Sequence, residues 1–342
     1  MIMLLRTIVF SIGVIAGLPT QAAAPQPRDF QQWKLPAQPP APADNKPSAA
    51  RVELGKMLFF DPRLSRNGNT SCASCHNPSL GWSDGLATAR GFDGKLLERA
   101  SPSIVNTGYN SIHMWDGRKK TLEDQATGPM EAAPEMNTDF EKLFAWLSAS
   151  QGYKTAFAKA YPGQPIGPET LKRAIAAFER TIVSRDSAFD RWLAGDRKAM
   201  SPQQLRGLAL FNDSARTNCV ACHAAPNFTD NGFHNLGLAS FGADNADQGR
   251  FAQKKVAAMK GAFKTPTLRD IERTAPYFHD GSATTLLDVV EHYAKGGVSR
   301  ANLSANIKPL ELTKDDKEAL VAFMRALSSP QKPMSYPQLP LE

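Results

Sequence analysis

The chain has 342 residues, of which 42% are apolar and 21% charged, with a formal net charge of +7. This composition excludes a chain that is disordered throughout and gives length enough for about two domains. The mild basic balance comes without a run of five or more Lys/Arg and without a nucleic-acid motif. No nucleic-acid partner is therefore expected; a solvated surface accounts for the charge, and an acidic protein partner would suit it.

The chain opens "MIMLLRTIVFSIGVIAGLPTQAAAP", with Arg6 ahead of an uncharged run from Thr7 to Leu18 and small residues at Ala22 to Ala24. This pattern predicts a secretory signal peptide over residues 1–23, whose removal near Ala22 or Ala23 leaves a net charge of +6. The apolar run is shorter than the ~20 residues a spanning helix needs, so no membrane span is expected. The expected compartment is the periplasm. Residues 24–48 follow as a proline-rich arm, with seven prolines from Pro25 to Pro47. That is too many for a helix or an interior strand, and Trp33 is the expected anchor of the arm on the domains.

Beyond the arm, "GKMLFFD" (Gly55 to Asp61) precedes "SCASCH" (Ser71 to His76), and "GLALFND" (Gly207 to Asp213) precedes "NCVACH" (Asn218 to His223). A second echo follows each unit, "GWSDG" at Gly81 and "NFTDNG" at Asn227. The repetition predicts an internal duplication, with an N-terminal domain over 49–198 and a C-terminal domain over 199–342. The junction is expected near "SPQQ", where Ser201 caps a helix that starts on Pro202. Apolar spacing predicts further helices over 137–150, 168–184, 284–295 and 313–329, the last with a Thr313/Asp316 capping box. No convincing alternating strand is present, so the fold class is mainly α.

All four cysteines, Cys72, Cys75, Cys219 and Cys222, lie in the two Cys-x-x-Cys-His units. Two thiols at this spacing can form thioethers to the two vinyl groups of one haem, and the adjoining histidine reaches the iron from one face. A dithiol redox motif would not need the histidine, and zinc would need further ligands. The expected cofactors are two covalently bound haems c, with His76 and His223 as the proximal iron ligands. Two cytochrome-c-like domains follow.

From about Leu54 to Leu327 the chain resembles the bacterial dihaem cytochrome c peroxidase family and its MauG-like branch. The resemblance rests on "LFFDPRLSRNGNTSCASCHNP", on "MWDGRKKTLEDQATGPMEAAPEMN" from Met114 to Asn137, and on "GAFKTPTLRDIERTAPYFHDGSATTLLDVVEHYAKGG" from Gly261 to Gly297. It implies reduction of hydrogen peroxide at the N-terminal haem, with the C-terminal haem relaying electrons from a small redox protein, a cytochrome c or a cupredoxin. In the MauG-like alternative the peroxide equivalents oxidise residues of a partner protein, and in a further alternative the chain is a dihaem electron carrier without catalysis. By the same resemblance Glu135 is the distal acid/base, Gln125 orients peroxide, Pro129 lines the distal pocket and Trp115 lies between the haems. Taken without the motif, Glu135 would read as a surface carboxylate and Trp115 as a core ring.

Members activated by reduction carry a histidine in the loop after the first haem, whereas residues 77–112 here contain none. That departure implies an open first iron; His113 is the nearest alternative ligand, and otherwise a solvated or hydrogen-bonded histidine. At the second haem, Tyr293 stands where most members have methionine, matching the MauG-like branch. Met259 and His292 compete with it, although neighbouring helical side chains diverge by about 100° and His292 and Tyr293 cannot both face the iron. His279 and His234 match positions near the second haem, as hydrogen-bond partners of its propionates. The resemblance also allows a calcium ion on backbone oxygens of Thr274 and Pro276, but Ala100 replaces the asparagine that supplies the side-chain ligand.

Overall fold

The computed structural model describes residues 25–331 and 333–341, so the expected signal peptide lies outside the described residues. The fold is mainly α, and the one sheet among the described residues pairs Phe233–His234 with Phe263–Lys264 in antiparallel register. No helix among these residues is long and apolar enough to cross a membrane.

Each half is organised by one helix crossing. Helix Ala49–Phe60, capped by Ser48, packs on helix Pro168–Glu179, and helix Pro202–Asn212, capped by Ser201, packs on helix Lys314–Arg325. Glycine permits both approaches: a Cβ on Gly55 would fall 1.8 Å from the Ala174 carbonyl oxygen, and one on Gly207 would fall 1.9 Å from that of Ala319. Leu54, Leu58, Phe59, Leu171 and Phe178 fill the first core. Leu208, Phe211, Leu320 and Phe323 fill the second, joined by Phe189 and Trp192. The buried side chains pass from the first core to the second between Ile182 and Phe189, where helix Ala188–Leu193 turns its aromatic face to the second core.

The arm is not wholly extended. Residues Pro27–Trp33 form a 3-10 helix that seats Trp33, only 2% exposed, among Phe189, Phe211 and Phe228. Further along, Asn45 donates to Glu123 of the first half at 2.7 Å, so the arm straps both halves. The helix over 168–184 stops at Glu179, and helix Gln151–Ala160, whose polar start with Gly152 hides its periodicity, is an addition.

The duplication reaches beyond the attachment units. Met114-Trp115-Asp116-Gly117 corresponds to Phe278-His279-Asp280-Gly281: Met114 and Phe278 both have φ of 70°, and Gly117 and Gly281 both 64°. Isolated bridges His113–Lys119 and Tyr277–Ala283 close these turns, and Thr121 and Thr285 cap the helices that follow. The two copies face each other reciprocally. Ala100 N–H donates to the His279 carbonyl (2.7 Å) while Lys264 N–H, at the corresponding position, donates to that of Trp115 (2.8 Å). Ser184 N–H donates to Asn106 and Ser329 N–H to Asp270, and the two serine hydroxyls meet at 2.8 Å. Such exchange of equivalent partners is the signature of a local two-fold relation between the halves.

Candidate active site

Each attachment unit is a short helical turn at the mouth of its own cavity. Cys72 and Cys75 border a cavity of about 710 Å³, and Cys219 and Cys222 one of about 630 Å³. In the first unit His76 N–H donates to the Cys72 carbonyl, and in the second His223 N–H donates to that of Cys219, both at 2.9 Å. The ring Nδ1 of His76 lies 3.2 Å from the Trp82 carbonyl oxygen, and that of His223 lies 3.0 Å from the Phe228 carbonyl oxygen. Trp82 and Phe228 have φ of 62° and 55°, which bulky residues seldom adopt; here it marks a fixed turn beside each histidine.

A carbonyl can only accept, so Nδ1 carries the proton in both rings and Nε2 keeps its lone pair. Burial lowers the pKa of each histidine to about 4, so both rings are neutral. A neutral imidazole fixed through Nδ1 is the form that ligates iron. All four cysteines are free rather than paired, and burial pushes Cys75 and Cys219 up to about 11. Two thiols and an oriented imidazole on a roomy cavity fit a covalently attached haem in each half.

Gln125 on helix Leu122–Ala126, Pro129 in the turn Gly128–Glu131, and Glu135 all border the first cavity together with His76. Backbone bonds from Glu135 to Ala132 (3.0 Å) and from Met136 to Pro129 (3.1 Å) fold the segment back on itself. The Glu135 side chain is 26% exposed, with Oε1 3.9 Å from Arg118 Nη2. Burial raises its pKa above the ordinary carboxylate value, against the opposing pull of Arg118 and Arg99. His113 also lines this cavity; at 6% exposure it is buried rather than solvated, with its pKa pushed by burial down to about 4.

Tyr293 on helix Leu286–Lys295 borders the second cavity with His223, and burial holds its phenol well above the usual range. Its competitors are disposed otherwise. His292 donates from Nε2 to the Leu236 carbonyl at 2.8 Å, and Met259 is not among the lining residues. In the correspondence that pairs Trp115 with His279 and Thr121 with Thr285, Tyr293 falls opposite Pro129. The position that carries a phenol on the second cavity thus carries, on the first, a ring with no ligand atom. Sequence reading missed this correspondence; the shared Asp-Gly and Thr-Leu pairs were its faint signal.

Trp115 lines both cavities, with Nε1 donating to the Ala100 carbonyl (2.9 Å) and its ring 6.4 Å from that of His279. His279 is stacked on Phe263 at 3.5 Å and borders the second cavity. His234 is already engaged: Nε2 lies 2.7 Å from Asp230 Oδ2, and Asp230 first, then Cys222, raises its pKa to about 10. Among the described residues, Cys222, Asp230 and His234 form the one close group of metal-ligating side chains, and Cys222 belongs to the attachment unit. Thr274 and Pro276 border the first cavity beside Ala100, whose carbonyl is taken by Trp115. Residue 100 itself offers no side-chain donor.

The sequence pattern of the di-haem cytochrome c peroxidase family matches residues 49–198. The methylamine utilization protein MauG of Methylorubrum extorquens is 41% identical over 97% of this chain and 94% of its own. Cytochrome c551 peroxidase of Pseudomonas aeruginosa is 38% identical over 86% of this chain and 83% of its own. A solved MauG-like protein associated with microbial copper homeostasis shares 32% identity and a TM-score of 0.80 over 87% of this chain and 95% of that one.

Proposed function

Since the chain belongs to the di-haem cytochrome c peroxidase family, we propose that it is an exported enzyme that reduces hydrogen peroxide in the first cavity, using electrons relayed through the second from a small redox protein. The observation that carries this reading is the asymmetry of Pro129 and Tyr293 on a duplicated frame. Cys72, Cys75 and His76 would hold one haem, and Cys219, Cys222, His223 and Tyr293 the other. Bound haem supplies a redox-active iron and the electrons that peroxide accepts.

The protein side chains handle the protons. Reduction of H2O2 to two waters takes two electrons and two protons, and one proton must pass from the near to the far oxygen so that water can leave. Glu135 accepts that proton at its carboxylate and returns it to the departing oxygen. Its raised pKa suits both halves of the transfer near neutrality. The Gln125 amide orients peroxide, and Pro129 keeps the pocket free of a competing ligand. Trp115, on the wall of both cavities, is placed to shorten electron transfer between them.

Tyr293 and the 41% identity to a MauG favour a second reading in which a partner protein supplies the electrons and is itself oxidised. A phenolate is a hard anionic donor that favours the oxidised iron and lowers the potential of the second haem. The test is turnover of the haem-loaded protein with peroxide and reduced cytochrome c. Oxidation of two cytochromes per peroxide supports the first reading. Peroxide consumed only alongside modification of a partner protein supports the second, and no peroxide consumption sinks both.

A further inference from the structure

We propose that Asp247, a residue of the second half, positions the Glu135 carboxylate of the first through Arg99, Asp116 and Arg118. The chain is hydrogen-bonded from Asp247 to Arg118, and its last link to Glu135 is a charge–charge contact. Asp247 grips Arg99 through two bonds, Nε to Oδ2 at 2.6 Å and Nη2 to Oδ1 at 2.9 Å. The third arm of Arg99, Nη1, reaches Asp116 Oδ2 at 2.9 Å, and Arg118 Nη1 meets the same oxygen at 2.8 Å. Nη2 of Arg118 then faces Glu135 Oε1 at 3.9 Å. Asp116 is buried, so the middle of the chain is shielded from solvent and salt.

Two further features tie this chain to the peroxide side. Arg250, close to Asp247 in sequence, donates from Nη1 to the carbonyls of Asp116 and Gly117 at 2.8 and 2.6 Å, so the second half also grips the backbone of the turn carrying Trp115 and Arg118. The duplicated frame supplies an internal control. Opposite Arg99, Asp116 and Arg118 stand Phe263, Asp280 and Ser282, and Asp280 there accepts from Ser240 (2.6 Å) and from Ser282 N–H. The aspartate and its turn are common to both copies, whereas the arginines occur only where a distal carboxylate must be held. A chain needed merely to dock the two halves would have no reason to end at Glu135.

The inference rests on the reading of Glu135 as the proton carrier. The charged groups facing that carboxylate are Arg118 and Arg99, and the Cys75 thiol is a further titratable neighbour. Loss of Asp247 leaves Arg99 less neutralised and Arg118 less constrained. The experiment uses haem-loaded full-length protein carrying Asp247→Asn, Arg118→Met or Glu135→Gln, alone and combined. It reads peroxide turnover and, separately, the pH profile of cyanide association with the first haem, which requires a distal group to accept the proton of HCN.

Asp247→Asn is expected to lower kcat roughly tenfold with little change in KM, as a misplaced catalytic group does, and to move the cyanide profile to lower pH. Arg118→Met should move the profile to higher pH, opposite in sign, which general loosening of the fold would not produce. In the Glu135→Gln background Asp247→Asn should add nothing. Turnover lost in Glu135→Gln but intact in Asp247→Asn overturns the link alone, as does an equal loss from Asp247→Asn in both backgrounds. Turnover intact in Glu135→Gln overturns the reading beneath it, and the link with it.

Discussion

Replacing Glu135 by glutamine keeps the volume while removing the group that can accept a proton. General acid–base groups contribute about 10²- to 10⁴-fold to rate, equivalent to ~3–5 kcal/mol of barrier. The other buried carboxylates on the first cavity are poor substitutes: Asp116 is tied to Arg99 and Arg118, and Glu179, its pKa pushed up by burial to about 8, already holds its proton near neutrality. His113 borders the same wall, but with its pKa pushed down to about 4 it is a poor base near neutrality. The Gln125 amide is not a base and cannot move a proton. The expected loss in kcat/KM for peroxide therefore sits toward 10³-fold. Stability should move the other way. Burial is the largest influence on Glu135 and raises its pKa in the fold. A carboxyl shifted upward stabilises the fold below its unfolded value of about 4.3, and that contribution is lost as pH rises through the folded value. The upward shift costs stability at pH 7, so Glu135→Gln should melt at or above the wild-type temperature. The assays are stopped-flow peroxide kinetics and thermal melts of the haem-loaded protein at pH 4 and 7. A loss in kcat/KM below threefold, or a loss accompanied by a lower melting temperature at pH 7, would refute the reasoning.

Gly207→Ala should destabilise the second half by at least about 2 kcal/mol, because its Cβ would lie 1.9 Å from a backbone oxygen that cannot move without parting two helices; denaturant titration with the second haem's absorption as probe reads it. Asp316→Asn should cost about 1–3 kcal/mol through lost charge-assisted bonds to Arg206 and Arg216. Those partners depress the Asp316 pKa in the fold, so the deficit is full above the unfolded carboxylate value of about 3.9 and shrinks as pH falls toward the folded one. Melting curves of the two proteins that stay parallel down to pH 2 would contradict it.

The two attachment units stand out in the sequence because covalent haem attachment needs particular residue types at fixed spacing, and the structure sets Cys72, Cys75 and His76, like Cys219, Cys222 and His223, on a cavity of their own. That Glu135, Gln125, Pro129 and Trp115 share one cavity wall could be expected only through a familiar motif, since nothing local in "EAAPEMN" distinguishes a cavity carboxylate from a solvated one. The correspondence between Met114–Pro129 and Phe278–Tyr293 was largely hidden. Backbone conformation rather than side-chain identity is retained there, and φ of 70° at Met114 and Phe278 leaves no trace in composition. The packing of Phe189 and Trp192 with the second core leaves no local trace, because Ser201-Pro202 is the stronger signal in that stretch of sequence. Asp247 escaped notice because its partner Arg99 is distant in sequence, and pairing across the interface follows from tertiary arrangement alone.

The resting electron paramagnetic resonance spectrum of the ferric, haem-loaded protein tests the Pro129/Tyr293 asymmetry most directly, recorded for the wild type and for Tyr293→Phe. One high-spin signal that shifts on cyanide addition beside one low-spin signal that is lost in Tyr293→Phe is the expected result. Low-spin signals from both irons, unchanged by the substitution and inert to cyanide, would contradict it.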